Sequence, residues 1–219
     1  MINPYSHIVF DLDDTLYKEI DFVKSAYLYI NQYIKKRFGK DFSKNIENCL
    51  EKGISFFNYI DSKLNHNQVF PIEKYLELYR FHFPDIKLSD DTIAFLDIIS
   101  SHSIDFSIIT DGRSISQRNK IKALGLNCLA KNIIISEETG YEKPHLHNFK
   151  IIEEIYPKKD FVYIADNVSK DFYAPNILKW RSICLKDSGL NIHKQNFEYD
   201  PSYLPSKIVN SFREIIIRR

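Results

Sequence analysis

Residues 8–15 read Ile-Val-Phe-Asp-Leu-Asp-Asp-Thr, three apolar residues followed at once by a group of acids. A short apolar run of β-branched and aromatic residues is typical of a buried parallel strand. Asp11 and Asp13 are two residues apart, so in an extended chain their side chains lie on the same side. The stretch therefore predicts a strand that delivers two carboxylates to one small volume.

This acidic group has two interpretations. At about 4 Å and an effective dielectric constant of about 20, two like charges repel by on the order of 4 kcal/mol, so the pair needs a cation or a shared proton. That favours a metal site or an acid/base pair. Alternatively, Asp13, Asp14 and Thr15 cap the helix that follows, because Asp and Thr are favoured at that position. The run alone leaves both interpretations open.

Later apolar runs of the same character lie at residues 106–109, 133–135, 161–165 and 182–185. Segments with helical spacing lie beside them, at residues 89–102, 114–124, 146–156 and 170–179. Alternation of strands and helices predicts an α/β fold, a doubly wound, Rossmann-like parallel sheet. Ligands bind such sheets at the carboxyl ends of the strands, which is where Asp11, Thr110 and Asp166 fall.

Residues 17–88 interrupt this alternation. The segment has the pattern of amphipathic helices rich in Tyr and Phe, predicted at residues 21–38, 43–53, 55–64 and 72–83. We therefore expect a core domain of residues 1–16 and 89–219, with a small helical domain of residues 17–88 inserted into it. The aromatic residues could line a substrate pocket, although packing inside the insert is the simpler interpretation.

The C-terminal part has a weaker pattern. Residues 187–205 contain Gly and Pro and resemble a long surface connection without evident chemistry. A last helix is predicted at residues 208–217.

Composition excludes several functional classes. Thirty Lys and Arg against 29 Asp and Glu give a formal net charge of +1, which provides no general attraction for nucleic acid or an anionic membrane. Cys49, Cys128 and Cys184 are too widely spaced for a zinc cluster or disulfide framework, which favours a reducing compartment. With no signal-like start and no apolar run of about 20 residues, we expect a cytoplasmic protein.

Three further motifs supply candidate site residues. Asp166 and Asp171 follow the run at 161–165 and offer the oxygen ligands that Mg²⁺ prefers. Thr110 ends its strand, and its hydroxyl together with the N–H groups near Gly112 could bind an anion, although a strand-ending turn explains both residues equally well. Lys143 precedes a proline, which biases the lysine towards an extended backbone.

In order along the chain, the motifs are Asp11-Leu12-Asp13-Asp14-Thr15, Thr110-Asp111-Gly112, Lys143-Pro144 and Asp166-Asn167-Val168-Ser169-Lys170-Asp171. As a set they resemble the four motifs of the haloacid dehalogenase superfamily. The resemblance spans residues of about 6–185 and implies the phosphatase branch of that superfamily. It also implies a core of the haloacid dehalogenase type with a helical cap inserted between the first and second motifs.

The resemblance implies a reaction as well. Asp11 would attack the phosphorus of a phosphomonoester and form an aspartyl-phosphate, and Asp13 would act as general acid and then as general base. Mg²⁺ would be held by Asp11, by Asp13 through its backbone carbonyl, and by Asp166. Asp171 would steady a metal-bound water or Lys143.

The remaining implied residues bind the phosphoryl group. Thr110 and the backbone amides of Asp111 and Gly112 would hold its oxygens, and Lys143 would offset the charge shared with Asp11. Asp111 replaces a frequent Asn, so its charge would repel the substrate unless Arg113 pairs with it; an exposed Arg113 is the other interpretation.

Alternatives stay open at this level. Dehalogenases of the superfamily use the same aspartate without a metal, but their second motif position is usually not acidic, so Asp13 favours phosphate. A sugar phosphomutase and a non-catalytic binding protein on the same fold are the other candidates. The expected partner is a small phosphate ester, either a sugar phosphate or a nucleoside monophosphate.

Overall fold

A six-stranded parallel sheet forms the centre of the computed structural model, which describes residues 2–218 apart from the side chain of residue 67. The strands are β1 (Ser6–Phe10), β2 (Phe106–Thr110), β3 (Ile133–Ile135), β4 (Asp160–Ala165), β5 (Arg181–Leu185) and β6 (Lys207–Val209). They lie in the order β3-β2-β1-β4-β5-β6, and every neighbouring pair is parallel. The predicted α/β fold with a doubly wound parallel sheet is confirmed.

The helices fall into two groups. Those between β1 and β2 are α1 (Glu19–Phe38), α2 (Ile46–Glu51), α3 (Phe56–Lys63), α4 (Ile72–Phe81) and α5 (Asp90–Ser101). Those after β2 are α6 (Ser114–Ala123), α7 (Ser136–Thr139), α8 (His147–Ile155) and α9 (Tyr173–Ile177). Within residues 2–218, no helix combines the length and apolar character that crossing a membrane requires.

Both faces of the sheet are covered by apolar residues. Ile8 and Phe10 of β1 belong to one buried cluster, and Val9 between them belongs to another. In β2, Ile108 and Ile109 divide between the same two clusters. Because successive strand residues point to opposite faces, unbroken apolar runs are required for a sheet buried on both sides.

The first four helices enclose an apolar core of their own. Ile30 and Ile34 of α1 pack with Phe56, Ile60 and Tyr75 of α3 and α4, and all five are fully buried. The aromatic side chains of this segment therefore pack largely against one another, as the simpler interpretation expected. The division into a core domain and a separate cap of residues 17–88 stays a prediction.

The C-terminal prediction was wrong. Instead of a helix at residues 208–217, the chain forms the edge strand β6 and a short 3₁₀ turn at Phe212–Glu214. Ile208 pairs with Cys184 of β5, and the ring of Phe212 stacks on Phe95 at 4.8 Å between centroids. β-branched residues lose side-chain freedom in a helix and fit a pleated strand. The segment therefore forms a strand where it meets the open edge of the sheet at β5.

The fold generates one prediction on stability. Replacing the fully buried Ile108 by Ala should lower the free energy of unfolding by about 2–5 kcal/mol, because it leaves a cavity between the sheet and its helices. Urea unfolding measures the change. The matched control is Ile98→Ala on α5, where the side chain is exposed and we expect a change within about 0.5 kcal/mol. Equal effects of the two substitutions would contradict the assigned core.

Candidate active site

The predicted site residues converge on one cleft at the carboxyl edge of the sheet. β1 lies between β2 and β4, so Asp11, directly after β1, is flanked by Thr110 at the end of β2 and Asp166 after β4. The cleft has a volume of about 360 Å³. All the predicted site residues except Asp171 line it: Asp11, Asp13, Thr110, Asp111, Gly112, Lys143 and Asp166.

The cleft carries a large excess of negative charge, with seven acidic side chains and two lysines on its wall. Burial, with Asp171 and Asp11 nearby, raises the pKa of Asp166 to about 9. Burial also raises the pKa of Asp11 to about 7, although Lys143 opposes the shift. These carboxyl groups therefore retain protons near neutral pH unless a cation offsets their charge.

Three of the carboxylates are close enough to surround an ion. Asp11, Asp166 and Asp171 each place an oxygen within 4.8 Å of the others, and all three are buried. Asp171, however, does not line the cleft: its side chain is fully buried and accepts the hydroxyl of Tyr163 at 3.2 Å and the N–H of Asn167 at 2.9 Å. Hard carboxylate oxygens fit Mg²⁺, and Asp11 and Asp166 are the side chains best placed to hold it.

Lys143 is the cation at the centre of this group. Its side chain is wholly buried, with Nζ 2.6 Å from Oδ1 of Asp11 and 2.7 Å from Oδ1 of Asp171. Burial lowers the pKa of Lys143, but the two carboxylates outweigh it and hold that pKa well above the usual value. The backbone N–H of Lys143 donates to Asp111 at 3.1 Å. Lys143 is thus a permanent positive charge fixed against Asp11.

Asp13 faces a different set of partners, all of them donors. Nζ of Lys120 lies 2.7 Å from its Oδ1, Nε2 of Gln117 lies 2.9 Å from its Oδ2, and the hydroxyl of Tyr17 also donates to it. Burial raises the pKa of Asp13, yet Lys120 and these donors outweigh burial and lower it. The two carboxylates of the first motif therefore do not share one cation, because each has its own lysine.

Lys120 and Gln117 were missed from the sequence. Both lie on α6, and Lys120 is buried with its ammonium 4.2 Å from the ring centroid of Phe22. Gln117 also donates to the hydroxyl of Thr110 at 2.5 Å, so one amide joins the first two motifs. In sequence, Gln and Lys on a helix indicate a face exposed to solvent. Only the order of the strands, which places β2 beside β1, shows that this face of α6 contacts Asp13.

Asp14 of the first motif makes a capping contact with the following helix, which was the alternative interpretation of this acidic run. Asp14 accepts the N–H of Glu19, the first residue of α1, at 3.0 Å, and it accepts the N–H of Ile192 at 2.9 Å. Its backbone lies in the left-handed region, with φ of 55°. Asp14 therefore makes the capping contact, whereas the site interpretation of Asp11 and Asp13 stays a prediction.

In the loop after Thr110, Asp111 does not form the ion pair with Arg113 that was one of the two interpretations. Arg113 is exposed and pairs with Glu137 at 2.6 Å, whereas Asp111 pairs with Lys170 at 3.1 Å. The N–H of Gly112 donates to the hydroxyl of Ser136 at 3.0 Å, so it already has a partner. Gly112 has φ of 135°, a conformation that L side chains rarely adopt. Lys170, not Arg113, neutralises Asp111.

The segment of residues 187–195, expected to lack chemistry, reaches the cleft. The side-chain amide of Asn191 donates to Oδ2 of Asp166 at 2.7 Å, and that of Gln195 donates to the backbone carbonyl of Asp166 at 2.8 Å. His193 lines the cleft itself. No sequence pattern marks these residues, because a long loop has no periodicity from which its destination can be inferred.

Comparison with known proteins agrees with this geometry. The sequence model of haloacid dehalogenase-like hydrolases matches residues 8–176. The chain belongs to that family. It is also 30% identical, over 176 residues, to a glyceraldehyde 3-phosphate phosphatase of Methanocaldococcus jannaschii, covering 75% of this chain and 77% of that protein. The predicted family and the hydrolase class are confirmed.

Solved structures of the family support the fold. The hydrolase YfnB of Bacillus subtilis, bound to magnesium, is 19% identical, covers 96% of each chain and has a TM-score of 0.62. A 2-haloacid dehalogenase of Pseudomonas syringae is 18% identical, covers 97% of this chain and 95% of that chain, and has a TM-score of 0.63. A phosphatase of Thermococcus onnurineus has a similar TM-score of 0.59, so the fold does not decide between phosphatase and dehalogenase reactions.

The crowded carboxylates predict how stability depends on pH. Asp11 and Asp166 have pKa values of about 7 and about 9 in the folded chain and about 4 when unfolded. The folded chain therefore binds more protons than the unfolded chain, so without metal its stability should fall as pH rises from about 7 to about 9. Thermal unfolding in EDTA measures this, and Mg²⁺ should reverse more of the loss at the higher pH.

The control for this measurement is Asp166→Asn, which removes the group with the highest of these pKa values and should flatten the dependence. An unfolding temperature that rises with pH over the same range in EDTA would contradict the predicted charge crowding.

Proposed function

We propose that the chain is a Mg²⁺-dependent phosphatase that hydrolyses a small phosphomonoester through an aspartyl-phosphate on Asp11. The observation that carries this proposal is the placement of Asp13, a second carboxylate at the cleft held by Lys120, Gln117 and Tyr17. Attack by a carboxylate needs only Asp11, whereas release of an alcohol also needs a proton donor. The phosphatase relative supports the same choice.

In the first half-reaction an oxygen of Asp11 forms a bond to phosphorus and the ester P–O bond breaks. The proton of Asp13 passes to the leaving oxygen, so an alcohol departs instead of an alkoxide. An incoming phosphate dianion disfavours a second negative charge nearby, which promotes protonation of Asp13 despite Lys120. Lys143 and the Thr110 hydroxyl offset charge on Asp11 and the phosphoryl oxygens.

In the second half-reaction, water replaces Asp11. Asp13 is now a carboxylate, the state that Lys120 and Gln117 stabilise in the structure. It takes a proton from water as the water oxygen attacks phosphorus, and the bond between phosphorus and Asp11 breaks. Inorganic phosphate and the free Asp11 carboxylate result, with Asp13 protonated for the next cycle.

The side chains of Asp11 and Asp166 and the backbone carbonyl of Asp13 would hold Mg²⁺. When bound, the ion offsets the charge of the carboxylates and the phosphate and polarises the phosphoryl group. Asp171 stays outside that set because its side chain is fully buried behind the cleft and, unlike Asp11 and Asp166, does not line it; its task is to hold Lys143.

The cleft favours a small sugar phosphate over a nucleoside monophosphate. Its volume is about 360 Å³, and among the described residues no Phe, Tyr or Trp lines it. A nucleobase gains much of its binding energy by stacking on aromatic rings, and the aromatic rings of the insert pack mainly inside the insert. A three-carbon sugar phosphate, like the substrate named for the archaeal relative, is the substrate class that we propose.

We further propose that residues 17–88 act as a cap over the cleft. The helix α6, which carries Gln117 and Lys120, also contacts the end of the insert, since Ser116 donates to the carbonyl of Arg80 at 3.1 Å and Asn119 to that of His82 at 3.0 Å. Movement of the insert would therefore be transmitted to the helix that holds Asp13.

The nucleophile gives the first test of this function. Asp11→Asn should reduce phosphate release from glyceraldehyde 3-phosphate by at least about 1,000-fold, because an amide does not form the covalent intermediate. Phosphate release is measured with Mg²⁺ and with EDTA. The matched control is Asp21→Asn, an exposed residue of α1, which should retain the activity of the parent chain.

Two results would contradict the proposal. The first is an absence of metal-dependent phosphate release across a panel of sugar phosphates and p-nitrophenyl phosphate. The second is an isomeric sugar phosphate as the main product, which would indicate a mutase.

Lys120 gives a second test, which concerns the role of Asp13. Lys120→Met should lower kcat by about 100-fold, the lower end of what a positioned acid/base group contributes, because Asp13 loses its ion pair. Mg²⁺ affinity, measured by calorimetry, should not change, since Lys120 contacts neither Asp11 nor Asp166 and meets Asp13 at its carboxylate instead of its backbone carbonyl. Lys122→Met, at an exposed position of the same helix, is the control. A kcat equal in both variants would refute this role.

A further inference from the structure

The segment of residues 187–195 folds into a closed loop beside the fourth motif. Oδ1 of Asp187 accepts the N–H groups of Gly189, Leu190 and Asn191 at 2.8–3.0 Å. The N–H of Asp187 donates to the side chain of Gln195 at 2.8 Å, which joins the two ends of the segment. These bonds fix the backbone from which Asn191 extends towards the cleft.

Asn191 bridges two charged side chains. Its Nδ2 donates to Oδ2 of Asp166 at 2.7 Å, and its Oδ1 accepts from Nζ of Lys18 at 2.6 Å. In the ionised state in which Asp166 would bind Mg²⁺, only this orientation of the amide satisfies both partners, because a carboxylate can only accept and an ammonium can only donate. A carboxylate in place of the amide would repel Asp166, and an apolar side chain would leave both partners without this contact.

The same loop also contacts the first motif. The N–H of Ile192 donates to Oδ2 of Asp14, whose other oxygen accepts the first N–H of α1. Residues 191 and 192 therefore connect Asp166, the first-motif loop and Lys18 at the start of the insert.

We infer that Asn191 is a positioning residue for the metal site, in that its amide holds the Asp166 carboxylate in the orientation that binds Mg²⁺ and links that carboxylate to Lys18. The inference rests on the proposed function only in taking Mg²⁺ as the ion and Asp166 as its ligand. A ligand oxygen held by a donor loses less freedom when it binds a metal, and such supporting contacts have a measurable effect on affinity.

The test is calorimetric titration of the substrate-free chain with Mg²⁺. Asn191→Leu, similar in size but without polar atoms, should weaken Mg²⁺ binding by about 10- to 100-fold. Its unfolding temperature in EDTA should remain close to that of the parent chain, and kcat should recover at saturating Mg²⁺. The matched control is Asn196→Leu, because within residues 2–218 the amide oxygen of Asn196 accepts only the nearby N–H of Glu198.

A Mg²⁺ dissociation constant of Asn191→Leu within about twofold of the parent would overturn the inference. If Asn191→Leu does not fold, Lys18→Met removes the anchor of the amide and should weaken Mg²⁺ binding several-fold; an unchanged affinity would again overturn it. Mg²⁺ binding to a parent chain that hydrolyses no phosphate ester would refute the proposed function alone. A parent chain that binds no Mg²⁺ would refute both.

Discussion

Lys143 lies wholly buried between Asp11 and Asp171, and the carboxyl edge of the sheet is arranged around it. An ammonium without exposure to water is tolerated only with paired charges and satisfied hydrogen bonds, and removing one partner from such a group is strongly destabilising. Tyr163 and Asn167 complete the arrangement through Asp171. The geometry of Asp11, the proposed nucleophile, is therefore fixed by the same contacts that make burial of the lysine possible.

Beside this group lies a second ion pair of the same kind, between Asp13 and Lys120. A single residue, Leu12, separates Asp11 from Asp13, yet the two side chains face different cations and have opposite pKa shifts. Burial sets the direction of the pKa shift of Asp11, whereas at Asp13 the lysine and two neutral donors together outweigh burial and lower the pKa. Different surroundings of two nearby carboxylates are what a nucleophile and an acid/base group in one site require.

The contacts that support the site come from distant parts of the chain. α6 contributes Gln117 and Lys120, and the loop after β5 contributes Asn191. Both supports also touch the beginning of the insert, α6 through Phe22 and the loop after β5 through Lys18. Since the insert and the supports share these contacts, a change in position of the insert would reach both Asp13 and Asp166.

The sequence by itself determined five of the six strands and the residues at their ends. Strands buried on both faces need unbroken apolar runs, and the polar residue that ends each run faces the ligand edge of the sheet. Asp11, Thr110 and Asp166 followed from that rule, and the family resemblance added Lys143. Only the tertiary structure decided the edge strand β6, the partner of Asp111, and the contacts of Lys120 and Asn191. Those residues lie in segments whose local pattern indicates solvent or loop, and their contacts arise from the order of the strands and the path of a loop, which carry no periodicity in sequence.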